Sequence, residues 1–183
     1  SKFGVLFAGA QKNLAPAGVT LVIIREDLIS EETLEKTPTM LQYKIHADAD
    51  SMYNTPPCYT IYVMGKVLEW IERNGGAEGM KKRNDEKANL LYDYLDNSDY
   101  YRATAEKGSR SLMNVPFLTK ETDEEKANAI NKKFVKEAAE AGLVNLAGHR
   151  LVGGMRASIY NAMSLEGVKA LIAFMDKFAK ENQ

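Results

Sequence analysis

The spacing of apolar and polar positions gives the chain two textures. In the first, Val5 to Ala8 and Val19 to Ile24 are short apolar runs rich in branched side chains, which predicts two buried strands. The segments Gly9-Ala10-Gln11-Lys12-Asn13 and Pro16-Ala17-Gly18 separate them and read as loop. From Glu31 to Asp50 the pattern is polar and weakly periodic, an extended stretch with a helical turn or two. Asn54-Thr55-Pro56-Pro57 then reads as a helix start, with polar capping candidates ahead of prolines whose fixed φ suits an opening turn. Ile61, Met64, Leu68 and Ile71 recur at helical spacing until Asn74-Gly75-Gly76 ends the run. Those glycines are the candidate domain junction, dividing residues 1–76 from residues 77–183.

Beyond the junction a second amphipathic helix runs from around Glu78 to Leu95, with Met80, Leu91 and Leu95 on its apolar side. Leu112 to Leu118 predicts a strand. Asp123 to Ala141 predicts a helix with Ala127, Ile130, Phe134 and Ala138 inward, stopped by Gly142. Leu143 to Leu146 and Met155 to Ile159 predict further strands, and Ser164 caps a last helix whose Val168, Leu171, Ile172, Met175 and Phe178 form one stripe. The fold class is therefore α/β, with a smaller α/β unit after the junction.

Composition narrows the possibilities. The 183 residues are 45% hydrophobic and 27% charged, which is the balance of a globular chain with a real core. The 24 basic and 25 acidic side chains leave a net charge of −1, too little positive field for nucleic acid to be the principal partner. No apolar run is long enough to span a bilayer, and Ser1-Lys2-Phe3-Gly4 lacks the marks of a signal peptide. The single cysteine, Cys58, cannot close an internal disulfide and reads as a packed thiol, which suits a cytoplasmic chain. With one cysteine and two histidines, a zinc site is not expected, and His46 with Asp48 and Asp50 reads as a solvated loop. The chain opens on what reads as a strand already under way, as though a preceding segment were missing.

Three places could carry chemistry. Lys12 lies in a short loop between apolar runs; held against a buried sheet edge it would be desolvated, lowering its pKa and freeing the amine to form a Schiff base. The ordinary reading is a solvated charge. Asn54 and Thr55 precede a helix, where backbone donors and the helix dipole favour an anion, although plain capping is the stronger reading of the local sequence and can coexist with anion binding. The segment Gly148-His149-Arg150-Leu151-Val152-Gly153-Gly154-Met155-Arg156 gathers an imidazole and two guanidinium groups, suited to small acidic ligands. Arg150 alone reads as surface arginine. Arg156 falls inside an expected strand with Val152, Met155 and Ile159, so it calls for a bound anion or an internal carboxylate.

Several longer motifs carry a resemblance. Phe3-Gly4-Val5 through Gly9-Ala10-Gln11-Lys12-Asn13, Pro16-Ala17-Gly18-Val19-Thr20 and Ser51-Met52-Tyr53-Asn54-Thr55-Pro56-Pro57 are similar to the phosphoserine aminotransferase family. So are Arg110-Ser111-Leu112-Met113-Asn114-Val115-Pro116-Phe117 and Gly148-His149-Arg150 through Gly153-Gly154-Met155-Arg156-Ala157-Ser158-Ile159-Tyr160-Asn161-Ala162. The resemblance implies a class V, fold-type I enzyme dependent on pyridoxal 5'-phosphate. Such an enzyme is a homodimer that exchanges an amino group between glutamate and 3-phosphohydroxypyruvate in serine biosynthesis. By matching motif, Lys12 would bond the cofactor and then move the α-proton, and Gln11 would touch the cofactor phosphate. Asn54 and Thr55 would bind the cofactor phosphate of the neighbouring subunit. Arg156 would take the substrate carboxylate, and His149 and Arg150 the substrate phosphate; Arg110 receives no role.

The same resemblance makes residues 1–76 the end of the cofactor-binding large domain and residues 77–183 the small domain. It also implies that most of the large domain lies outside this chain, including the Asp that pairs with the pyridine nitrogen. The isolated chain is then expected to be inactive. Another class V enzyme, such as an alanine–glyoxylate aminotransferase or a cysteine desulfurase, would share the lysine without needing the phosphate-reading pair. A dimerising module without catalysis would need neither.

Overall fold

The computed structural model describes residues 2–150 and 153–182. They form two compact units, Ser1–Arg73 and Asn74–Gln183. Val152, an expected strand position, lies outside the described residues.

In the first unit, β1 (Val5–Gly9) and β2 (Thr20–Ile24) pair antiparallel, with Val5 opposite Ile24 and Gly9 opposite Thr20. A short helix α1 (Tyr43–Asp48) and a long one, α2 (Cys58–Arg73), follow. The expectation of buried strands is overturned: Phe7 is 77% exposed, and Leu6 and Ile23 are exposed as well. Both strands have the composition of a sheet covered on its two faces, but among the described residues only the pair itself is built. The apolar stripe of α2 is likewise open, with Ile61 and Leu68 exposed and Thr60 its buried residue. Helix α2 begins after the prolines rather than on them. Its first i→i+4 bond runs from the Ile61 N–H to the Pro57 carbonyl at 3.1 Å, so Asn54 and Thr55 stand outside the capping position. Cys58 is exposed, not packed.

The second unit holds the core. Helix α3 (Gly76–Asn97) starts two residues ahead of the expected position, because Gly75 and Gly76 take φ of 89° and 66° and turn the chain within the pair itself. A sheet of four antiparallel strands follows in the order β3-β4-β6-β5, from β3 (Tyr101–Ala103), β4 (Asn114–Thr119), β5 (Ala147–His149) and β6 (Gly153–Ser158). Helices α4 (Glu124–Glu140) and α5 (Leu165–Glu181) complete the unit. Alternation along the strands sorts their residues. Val115, Phe117, Met155 and Ala157 enter the core with Leu91 and Leu95 of α3, Phe134 of α4 and Met175 and Phe178 of α5. Asn114, Pro116, Arg156 and Ser158 belong to the opposite face, away from the helices.

The capped helices match their local signals. The Asp123 carboxylate accepts from the Lys126 N–H at 2.9 Å, and the Ser164 hydroxyl accepts from the Gly167 N–H at 3.0 Å. Two strand expectations shift. The strand expected from Leu112 begins at Asn114, because the Ser111 hydroxyl accepts from the N–H groups of Met113 and Asn114, both at 3.1 Å. The strand expected over Leu143 to Leu146 is not formed. The Leu143 N–H closes the end of α4 on the Ala138 carbonyl at 2.8 Å, and Asn145 has φ 61°, so pairing starts at Ala147. Strand β3 has no counterpart among the expected elements. It is three residues long, too short for a periodic signal.

Candidate functional site

The loop carrying Gln11 and Lys12 is organised by Ala10, which is buried. Its N–H donates to the Val19 carbonyl at 2.9 Å, and its carbonyl accepts from the N–H groups of Lys12 at 2.6 Å and Ala15 at 2.8 Å. These bonds fold residues 10–15 into a tight turn at the end of the β1–β2 pair. Gly18, at φ 121°, supplies the backbone conformation that returns the chain to β2. Gln11 and Lys12 stand exposed on this turn, so the expected desolvation of Lys12 against a buried sheet edge is not provided by the described residues. Asn54 and Thr55 are also exposed, and the Asn54 amide donates to the Thr55 carbonyl at 3.2 Å.

The second unit has a more developed site. His149, the last residue of β5, pairs with Gly153 across the hairpin, and Arg156 sits three residues further along β6 opposite Pro116 of β4. His149 and Arg156 line one cavity of roughly 380 Å³, together with Thr104, Ser109, Ser111 and Asn114 among others. The hairpin joins His149 to Arg156, which lie seven positions apart in sequence. Arg150 is exposed on the turn after β5 and is not part of that wall.

Arg156 is the informative residue. Its Nε is buried with no hydrogen-bond partner among the described residues. A buried guanidinium N–H without an acceptor is costly, and the described residues do not supply this nitrogen with the bound anion or internal carboxylate that the sequence calls for. Neutral groups also fix part of the wall. Ser158 Oγ and the Tyr160 hydroxyl donate to Asn114 Oδ1 at 3.2 and 3.3 Å, and the Thr104 N–H donates to the Pro116 carbonyl at 3.3 Å. Hydroxyl and amide groups beside an arginine suit a small, multiply charged acid.

Sequence reasoning named His149 and Arg156 but missed Thr104, Ser109, Ser111 and Asn114 as walls. The Arg110-to-Phe117 motif contained Ser111 and Asn114, but their place beside Arg156 depends on strand register. Among the described residues, no group of three or more His, Cys, Asp or Glu side chains could hold a metal ion, and no helix is long and apolar enough to cross a membrane.

Known proteins agree with this architecture. The chain is 58% identical to a phosphoserine aminotransferase of Laribacter hongkongensis over 100% of its length and 49% of the relative's. It is 56% identical to that of Listeria monocytogenes over 97% of this chain and 47% of the relative. The phosphoserine aminotransferase structure from Bacillus circulans subsp. alkalophilus superposes with a TM-score of 0.90 at 46% identity, covering 100% of this chain and 49% of that one. A PLP-bound phosphoserine aminotransferase from Trichomonas vaginalis gives 0.88 at 38% identity, covering 96% and 48%. The chain thus spans about half the length of the curated relatives it matches. The profile of the class-V aminotransferases matches residues 1–171, and with it the exposed lysine turn and the arginine-bearing hairpin fall into one frame: the chain belongs to the aminotransferase class-V family.

Proposed function

We propose that these 183 residues are one half of a phosphoserine aminotransferase, exchanging the amino group of glutamate with 3-phosphohydroxypyruvate to give O-phosphoserine and 2-oxoglutarate in serine biosynthesis. The observation that carries the reading is the unpartnered Arg156 Nε in a cavity shared with His149, in a chain 58% identical to a phosphoserine aminotransferase. Residues 1–76 belong, in this reading, to the cofactor-binding large domain and residues 77–183 to the small domain. The enzyme works in the cytoplasm as a homodimer whose cofactor sites are shared between subunits.

The donor set fits pyridoxal 5'-phosphate. Lys12 offers a primary amine, exposed on a turn whose backbone is fixed by Ala10, and that amine is the group able to bond an aldehyde. Gln11 beside it, and Asn54 and Thr55 from the neighbouring subunit, offer amide and hydroxyl donors to the phosphate. When bound, the cofactor supplies an electron sink for the negative charge left on the substrate α-carbon. Lys12 takes the α-proton and returns it, acting as base and then acid. Arg156 holds the substrate α-carboxylate, and the otherwise unpaired Nε gives the site an unmet demand for that anion. His149 and Arg150 take the substrate phosphate, and the exposure of Arg150 in this chain leaves it able to turn toward that ligand.

The isolated chain has negligible transaminase activity in this reading, because Lys12 is solvent-exposed and the carboxylate for the pyridine nitrogen belongs to the remainder of the family's chain. The test is steady-state turnover of O-phosphoserine with 2-oxoglutarate by a chain of the relatives' full length carrying these residues. Lys12→Ala is expected to abolish turnover, and His149→Ala and Arg150→Ala to raise the KM for O-phosphoserine more than that for glutamate. Unchanged phosphoserine turnover in the His149 and Arg150 variants would overturn the substrate assignment. Turnover by the 183 residues alone would overturn the claim that they are catalytically incomplete.

A further inference from the structure

One wall of the Arg156 cavity is made by the connection between β3 and β4, a stretch with little regular structure of its own. Thr104, Ser109 and Ser111 line the cavity from it, and Asn114 does so from the start of β4. A loop wall needs an external tether to hold its side chains in place. The tether comes from α3, where Tyr92 and Asp96 lie one helical turn apart on the same face.

Arg110 is the centre of the tether. Its Nη1 and Nη2 donate to Asp96 Oδ2 and Oδ1 at 2.9 and 2.5 Å, the two-pronged geometry that fixes a guanidinium plane. The guanidinium carbon lies 4.4 Å from the centroid of the Tyr92 ring. The Arg110 Nε reaches back to the Ala105 carbonyl at 3.4 Å, and the Tyr92 hydroxyl donates to the Ser111 carbonyl at 3.0 Å. Helix α3 thus grips the loop at its start, through Ala105, and at its end, through Ser111. The Arg110 side chain is 15% exposed and that of Asp96 26%, so the pair is less open to solvent than the other ion pairs among the described residues of the second unit. Lys107 adds a weaker contact to Asp96 at 3.4 Å.

We propose that the Arg110–Asp96 pair, laid on the Tyr92 ring, positions the 104–114 loop as a wall of the substrate-anion cavity, making Arg110 a positioning residue for the aminotransferase reaction. Arg110 does not line the cavity; it acts through Ala105 and Ser111. The inference rests on the assignment of that cavity to the phosphorylated substrate. An arginine is required here because a lysine ammonium would keep the charge but lose both the paired bonds and the stacking plane.

The test uses a full-length chain carrying these residues, loaded with pyridoxal phosphate, with O-phosphoserine as substrate. Asp96→Asn and Arg110→Gln are expected to raise the KM about five- to twenty-fold with kcat within twofold. Arg110→Lys should recover little of the loss. Tyr92→Phe, which keeps the ring and removes only the bond to Ser111, is the mild variant, expected to raise the KM about two- to threefold without lowering the thermal midpoint appreciably. A kcat that falls in step with the rise in KM, or complete rescue by Arg110→Lys, would overturn the positioning role in favour of general stabilisation. His149→Ala and Arg156→Lys serve as reference variants. If they raise the KM while the Arg110, Asp96 and Tyr92 variants leave it unchanged, the tether is overturned and the cavity assignment stands. If the reference variants are silent too, the cavity assignment falls and the tether proposal with it.

Discussion

The ammonium of Lys87, in the middle of α3, lies 2.7 Å from the carbonyl oxygen of Tyr160, just after β6. A second bond reaches the Ile159 carbonyl at 3.1 Å, and the side chain is almost wholly enclosed, Lys87 being 1% exposed. Arg83 and Asn84, on the same helix face, bind Asn161 through its carbonyl at 3.0 Å and its side-chain oxygen at 2.7 Å. Three successive residues after the Arg156 strand are therefore tied to one face of α3. The helix that tethers the loop wall through Tyr92 and Asp96 also holds the exit of β6.

Removing the Lys87 amine leaves two carbonyls short of a donor in a buried place. Lys87→Met is expected to destabilise the second unit by about 2–4 kcal/mol, read from the urea midpoint at pH 7. A loss below about 0.5 kcal/mol would mean that water replaces the amine at no cost.

The same lysine gives stability an unusual alkaline dependence. Burial, with the Arg83 charge adding to it, lowers its pKa from 10.5 to about 8. Between those values the unfolded chain holds a proton that the folded chain has released, so stability rises with pH. The neutral amine still has two N–H groups for its two carbonyls. Above pH 10 the sign reverses, because burial raises the Tyr94 and Tyr101 phenols far above their ordinary 10.0 and the unfolded chain ionises first. Urea midpoints are expected to climb from pH 7.5 to about 9.5 and fall by 11, and Lys87→Met to remove the climb but not the fall.

Gly148 has no room for a side chain. A methyl group there would collide with the Gly153 carbonyl across the β5–β6 hairpin. Gly148→Ala is expected to cost about 1–3 kcal/mol and to loosen the pairing of His149 with Gly153. Hydrogen exchange of the amides in residues 147–149 and 153–156 checks it, against a control region in α5 that should be unaffected.

The two side-chain caps are independent of the site. Asp123→Ala and Ser164→Ala should each cost about 1 kcal/mol, additively, since they cap different helices, with thermal unfolding as the readout. A double variant that departs from the sum by more than about 0.5 kcal/mol would show that the caps are coupled.

Helices α4 and α5 were legible because everything that defines them is local: a cap, a stripe at 3.6-residue spacing and, for α4, a glycine stop. For β4 and β6 the strands themselves were legible, while their core faces, Val115, Phe117, Met155 and Ala157, come from the structure. The Leu143–Leu146 segment misled because its branched, apolar residues suit a strand, while Leu143 is taken by the end of α4 and Asn145 turns the backbone. Val5 to Ala8 and Val19 to Ile24 form strands as their pattern predicts, but the burial it also predicts is absent. A hydrophobic run records what a segment needs against it, and only the assembled fold decides whether that layer is there.

The candidate chemistry divides the same way. Sequence alone placed Lys12 in a loop after a strand, set His149 and Arg156 in one segment and left Arg156 calling for a bound anion or an internal carboxylate, since these follow from residue type and spacing. Tertiary structure decided that Arg156 lies on the face away from the helices, that His149 shares its cavity, and that Arg110 reaches Asp96 rather than solvent. Those outcomes depend on the registers of β4, β5 and β6 and on a contact between residues fourteen apart in sequence. Local pattern is blind to both, because a one-residue slip in pairing would exchange the two faces without altering the sequence at all.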